Sequence, residues 1–264
     1  MPHLELRDGV PLYYEEHGTG PPVVLVPGWT ITTRFWERQI EELASEHRLI
    51  ALDLRGAGNS GKTPDRHSLS GYADDLAELL LQLELADAVL VAWAMGVSVC
   101  VQYLASAERR ARGFVWIDHS PRFFSGPDWP YALFGDFGLR ELDETVKRLR
   151  HDRPAVTREL LGVMFAEPAE WMYADLMKTP TEVAATMLAT VAKFDLRPLL
   201  GRLTLPVLLV NGGRSVVPPA VGRWLAEQLA QAQSVLLDEA GHAPFWDDPD
   251  GFNAAVRSFV GGLR

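Results

Sequence analysis

The sequence predicts an α/β fold, a mostly parallel sheet flanked by helices with a helical cap inserted into it, and three observations carry that expectation. Short apolar runs alternate with helix-length stretches from residue 23 to residue 117, the order in which crossover-connected parallel strands appear. The runs are apolar throughout instead of alternating with polar residues, so both faces of the sheet must be covered. After Asp118 the alternation stops, and residues 123–196 offer helical stretches without a convincing parallel strand.

Each element follows from its own pattern. Residues 4–6 and 11–16 read as short strands about the Asp8-Gly9 turn, a hairpin at a sheet edge. Residues 23–26 are a third strand, and 35–47 show helical periodicity. A fourth strand over 48–54 precedes an amphipathic helix over 69–83. Residues 89–91 are a buried strand and the uncharged stretch 97–103 a packed helix, so a sharp turn must join them at Ala92-Trp93-Ala94-Met95-Gly96. Residues 114–117 form the next strand, with Asp118 at its carboxyl end. Inside the insertion, 141–149 and 180–194 read as helices, punctuated by Pro127, Pro130, Pro154 and Pro168. The sheet resumes at 207–210, and a helix over 220–229, a strand over 234–237 and a helix over 251–260 close the chain. The expected organisation is core over 1–122, cap over 123–196 and core again over 197–264.

Composition narrows the partners. At 264 residues and 47% hydrophobic, the chain can bury a large core. A formal charge of −10 repels phosphate backbones and acidic lipid alike, which argues against nucleic acid and membrane surfaces. The single Cys100 rules out an intramolecular disulfide framework and, with no apolar signal core at the N-terminus, fits a reducing, cytoplasmic setting. Residues 88–107 carry no charge and match a membrane span in length, yet the strand-like front half and Gly96 divide them. No paired metal-ligand spacing occurs among the seven histidines and one cysteine, so neither a metal nor another cofactor is expected. The expected partner is a small-molecule substrate, with a homodimer left open.

The chemistry gathers at strand ends, where ligands bind in such sheets. The turn at Ala92 to Gly96 has the small-x-nucleophile-x-Gly spacing of a nucleophile elbow, in which small residues let strand and helix backbones nearly touch. Its centre is Ala94, whose methyl group cannot attack a carbonyl. His242 lies in a loop just after the last strand, where a general base can reach the elbow, and Asp118 is placed to hold the imidazole's tautomer. Two backbone N–H groups would form the oxyanion hole: Met95, after the nucleophile position, and Trp29, in the loop after the third strand. A rival reading is the GAGNSGKT stretch at 56–63, which fits a phosphate-binding loop. Such a loop needs a helix to start at Lys62-Thr63, and Pro64 biases Thr63 away from helical angles.

These residues resemble the α/β-hydrolase family over essentially the whole chain, which implies the α/β-hydrolase fold. Pro27-Gly28-Trp29 is similar to the family's oxyanion loop and Asp53 to Ser60 to its DLRGxGxS loop. Ala240-Gly241-His242, with Pro249, Phe252 and Asn253, is similar to its histidine segment. The likeness is to small esterases and non-haem haloperoxidase-like members, whose elbow commonly reads x-W-S-M-G; here Trp93-Ala94-Met95-Gly96 lacks only the serine oxygen. The stretch Gly212 to Pro218 is similar to the family's commoner acid segment, with Ser215 in place of the aspartate. Some branches take the acid from the end of the preceding strand, where this chain has Asp118. No such relocation accounts for Ala94, and the economical reading is a serine replaced by alanine.

The resemblance therefore implies a serine-type hydrolase of a carboxylic ester or lactone, present in a form that Ala94 leaves without its nucleophile. Two alternatives stand beside it: His/Asp base chemistry on a hydroxylated heteroaromatic, as in the cofactor-free dioxygenases of the same fold, and a non-catalytic small-molecule-binding protein. Trp93, His119, Phe123, Trp129 and Phe245 are expected against the substrate. The aromatic crowding of the cap, Phe134 and Phe165 included, points to an apolar or aromatic portion in that substrate.

Overall fold

The computed structural model describes residues 2–106, 110–131, 133 and 137–263. Its strands are β1 (His3–Glu5), β2 (Pro11–His17), β3 (Pro22–Val26), β4 (Arg48–Leu52), β5 (Ala88–Trp93), β6 (Ala111–Ile117), β7 (Val207–Gly212) and β8 (Ala232–Leu237). They make one eight-stranded sheet in the order β1-β2-β4-β3-β5-β6-β7-β8. β1 and β2 pair antiparallel, as do β2 and β4, and every other neighbour pair is parallel. β5 and β7 are buried at every residue, which is why their sequences carry no polar alternation.

The helices are α1 (Glu37–Leu43), α2 (Leu69–Gln82), α3 (Met95–Leu104), α4 (Leu139–His151), α5 (Arg153–Met164), α6 (Glu170–Met177), α7 (Thr181–Lys193), α8 (Pro219–Gln228), α9 (Pro244–Asp247) and α10 (Pro249–Gly262). Helices α4 to α7 all fall between β6 and β7, as the inserted cap. Leu142, Val146 and Ala185 form a small apolar cluster that ties α4 to α7, apart from the main core. The uncharged run after residue 88 is β5, a turn and α3, its last residue, 107, lying outside the described set. No helix among the described residues is long and apolar enough to cross a membrane.

Some elements differ from expectation at their ends. The fourth strand ends at Leu52: the Asp53 amide still donates to the Tyr13 carbonyl of β2 at 3.0 Å, while its side chain accepts the backbone N–H groups of Thr33 and Asn59, both at 2.7 Å. The helix expected from residue 35 begins as a tight 3-10 turn over Thr33–Trp36 and becomes regular only at Glu37. Pro154 does not interrupt the cap's helices. It occupies the first turn of α5, where no N–H is needed, and the Asp152 carboxylate caps that turn by accepting from Ala155 N at 3.2 Å. Phe134 lies outside the described residues.

Candidate active site

The elbow between β5 and α3 is the most constrained turn in the site. Ala94 sits at φ 48°, ψ −119°, a conformation that residues with a Cβ adopt only when their surroundings enforce it. The enforcement is visible at Gly96, where a Cβ would lie 2.5 Å from the Val26 carbonyl oxygen and 2.6 Å from that of Pro27. Helix and strand can therefore approach only with glycine there. The loop after β3 passes close by: a Cβ on Gly28 would stand 3.4 Å from the Ala94 methyl and 3.0 Å from the Trp93 ring. This brings the backbone of Gly28, the residue before Trp29, alongside Ala94. Met95 is the first residue of α3, and helix geometry supplies no acceptor for its N–H.

Asp118 follows β6 and is fully buried, and its carboxylate has three partners. Gly212 N at the end of β7 donates to Oδ1 at 3.0 Å. His242 Nδ1 lies 2.7 Å from Oδ2, and the Ser215 hydroxyl donates to the same oxygen. A carboxylate in that position selects the imidazole tautomer with its proton on Nδ1 and leaves the Nε2 lone pair free to accept a proton. Ser215 in turn accepts from Val217 N at 3.0 Å, so the turn that lacks the family's commoner aspartate is built around a hydroxyl aimed at Asp118. The stretch Gly212 to Pro218 marked this residue, and its partner became visible only when the strand ends were assembled.

Trp93 connects His242 to the elbow. Its indole N–H donates to the His242 carbonyl at 2.7 Å and the two rings are 5.3 Å apart. Asp247 Oδ2 accepts from Gly241 N at 2.8 Å and shapes the same loop. Trp93 and Phe245 are enclosed by protein, and Phe245 packs between Trp93 and Trp36. His119 is buried behind the site, with Nε2 2.8 Å from the Ser98 hydroxyl of α3. Burial, helped by nearby His242, holds its pKa down to about 3, so it is neutral at ordinary pH. Trp129 is buried against Tyr131, Trp224 and the Arg197 guanidinium, whereas Phe123 is half-buried against the His119 ring. Of the five residues expected against the substrate, four are thus held in packing networks, and Phe123 keeps part of its surface open.

His242 lines a cavity of about 690 Å³ with Met164, Met172, Trp246 and Arg38, between the cap and the histidine loop. A larger groove of about 890 Å³ lies on another side, lined by Arg55, Asp74, Asp75 and Arg110, and none of the residues above borders it. Its central charge is already neutralised, since Arg55 pairs with Asp75 at 2.6 Å and Asp8 at 2.7 Å. Among the described residues no group of three His, Cys, Asp or Glu is placed to hold a metal ion. The GAGNSGKT loop is closed on itself. Gly56, Ala57, Ser60 and Gly61 give their amides to backbone carbonyls, and Lys62 Nζ donates to the carbonyls of Ala57 and Ser60 at 2.9 Å and to that of Gly58. The next helix begins only at Leu69, so these amides and the ammonium are already spent and no helix N-terminus faces a phosphate there.

Comparison with known proteins agrees with this architecture. The profile of the alpha/beta hydrolase fold matches residues 21–249. A pimeloyl-[acyl-carrier protein] methyl ester esterase of Aeromonas salmonicida is 31% identical, the match covering 94% of this chain and 98% of that protein. An esterase from Exiguobacterium antarcticum superposes with a TM-score of 0.92 at 24% identity, covering 98% and 99% of the two chains, a likeness of fold alone. A bromoperoxidase from Bacillus anthracis superposes at 0.89 with 25% identity over 96% of each chain.

Proposed function

Since the chain belongs to the α/β-hydrolase family, we propose that its site is that of a serine-type hydrolase of carboxylic esters or lactones in which alanine stands in the nucleophile's place. The chain as it stands then holds substrate without covalent turnover. The observation that carries this reading is Ala94 itself. It keeps the strained φ of 48° that lifts a side chain out of the turn, although a methyl group gains nothing from being presented there. The His242–Asp118 pair beside it supports the same conclusion, as do relatives named as methyl ester esterases.

With serine at position 94, His242 Nε2 would take the hydroxyl proton as the serine oxygen bonds to the acyl carbon. The amides of Met95 and Trp29 would hold the oxyanion. Collapse would expel the alcohol, protonated by His242, and water would repeat the sequence to release the acid. The apolar face that the cap gives the His242 cavity, with Val163, Met164 and Met172, favours a substrate with an apolar or aromatic portion.

The test is Ala94→Ser beside the unaltered chain, with a short p-nitrophenyl ester series and a fluorophosphonate label. Labelling, with a rise in turnover of at least about 10³-fold, is expected in the serine form alone. A serine form that neither labels nor turns over sinks the proposal. A second reading, base chemistry on a hydroxylated heteroaromatic, draws on the fact that the His242–Asp118 pair is complete without any nucleophile. Oxygen consumption on hydroxyquinolones by the unaltered chain would establish it.

A further inference from the structure

Among the described residues two arginines are almost wholly buried, and they are treated differently. Arg55, 1% exposed, is held by Asp75 and Asp8. Arg153, 5% exposed, opens α5, and no salt bridge to it occurs among the described residues. Its Nη2 donates to the Leu176 carbonyl at 3.1 Å, and its Nε and Nη1 have no hydrogen-bond partner among the described residues. The guanidinium lies 5.2 Å from the centre of the Trp29 ring. Burial alone holds its pKa down to about 10. A buried cation without a counter-charge is costly, and proteins retain one where something else completes it.

The polar groups near it are in the same condition. Thr157 lies one helical turn after Arg153 on the same face of α5, and Thr179 donates its amide to the Leu176 carbonyl that Arg153 also uses, at 3.3 Å. Both hydroxyls are buried, and neither has a hydrogen-bond partner among the described residues. The same holds for Thr30, the neighbour of Trp29. Arg153 and Thr179 meet at the Leu176 carbonyl, with Thr157 one turn along α5, where the cap covers Trp29. The Arg153 end of α5 rests on Trp29, while Phe165, just past its other end, packs on Trp93 at 5.6 Å.

We propose that Arg153, with the hydroxyls of Thr157 and Thr179, is a specificity site that takes the free carboxylate of a substrate whose reacting carbonyl lies at position 94. The substrate class is then a half-ester of a dicarboxylic acid, or a lactone bearing a carboxylate. One buried guanidinium balances a single negative charge, which suits a carboxylate better than a dianionic phosphate. This inference rests on the hydrolase reading above and narrows its substrate.

The experiment compares p-nitrophenyl hemiglutarate with the neutral p-nitrophenyl valerate in the Ala94→Ser chain, alone and combined with Arg153→Met or Arg153→Lys. In parallel, the melting temperature of the unaltered chain is followed with glutarate, with and without Arg153→Met. Hemiglutarate should be favoured in kcat/KM by at least about tenfold. Arg153→Met should abolish that preference with valerate hydrolysis within threefold, and Arg153→Lys should restore part of it. Glutarate should raise the melting temperature only when Arg153 is present. Equal losses on both esters would mean that Arg153 serves the fold, and would overturn the inference. So would equal rates on both esters with Arg153 intact, although the hydrolase reading would stand. If Ala94→Ser hydrolyses neither ester, that reading fails instead, and the glutarate shift decides the subsite: a shift lost in Arg153→Met supports it, and no shift overturns it. Should Arg153→Met not fold, Thr157→Val answers the same question through the same ester ratio.

Discussion

Two turns leave the sheet at strands that flank β3, and their amides are disposed in opposite ways. After β4, the glycine-rich loop that imitates a phosphate cradle directs its amides inward, to backbone carbonyls and to the Asp53 carboxylate, and folds its lysine onto its own carbonyls. After β5, a turn with a single glycine places Ala94 in a strained conformation and opens a helix whose first N–H has no helical acceptor. A glycine-rich motif thus does not make an anion site. What makes one is donors left over after the fold has used the rest.

The sharpest attack on the elbow side of this comparison is Asp118→Asn in the Ala94→Ser chain. An amide there cannot hold the imidazole in its basic tautomer, and kcat should fall about 10⁴-fold with esters of either charge. Retained activity, followed by p-nitrophenol release, would mean that Ser215 or another group orients His242. The second effect is on stability against pH, and here the two turns should pull in opposite directions. His119, behind the elbow, has a folded pKa depressed to about 3, so its contribution is full above its ordinary value and is lost as pH falls from about 6.5, at up to about 1.4 kcal/mol per unit. Asp53, the pivot of the closed loop, is pushed up to about 6 by burial despite its two amide donors. Its contribution is full below its ordinary value and is lost as pH rises towards about 6. Urea midpoints between pH 4 and 7.5 should show His119→Gln losing the acid-side decline and exposing the opposite slope. An unchanged profile would show that His119 does not govern it. The smallest effect is on the closed loop: Lys62→Met should lower stability by about 1–2 kcal/mol, with no melting shift from nucleotide in either chain. A nucleotide-induced shift that the lysine variant loses would reverse the comparison.

Much of this was legible beforehand. The fully apolar runs placed β3, β5 and β7 within a residue or two, because burial on both faces leaves no room for polar alternation, whereas β6 starts three residues early, at the less apolar Ala111-Arg112-Gly113. Ala92, Gly96, Asp118 and His242 could be singled out because a parallel sheet brings its strand ends to one edge. The first turn of α5 was hidden, since Pro154 reads as a break until Asp152 is seen to cap the helix behind it. Arg153 was hidden as well. An arginine in a charged helical segment looks solvated, and nothing local in the chain announces that Trp29, well over a hundred residues earlier, will cover it.

By itself the sequence determined the layering of the fold, the sharp turn at residues 92–96 and the absence of a hydroxyl at its centre, because these depend on residue type and on spacing along one strand or helix. The tertiary structure decided which groups are satisfied. That Ser215 serves Asp118, that Lys62 is consumed by its own loop while Arg153 is left with unused donors, and that Trp93 carries the histidine loop all depend on contacts between distant segments. Whether a polar atom is spent or available is a property of everything packed around it, and local pattern does not contain that information.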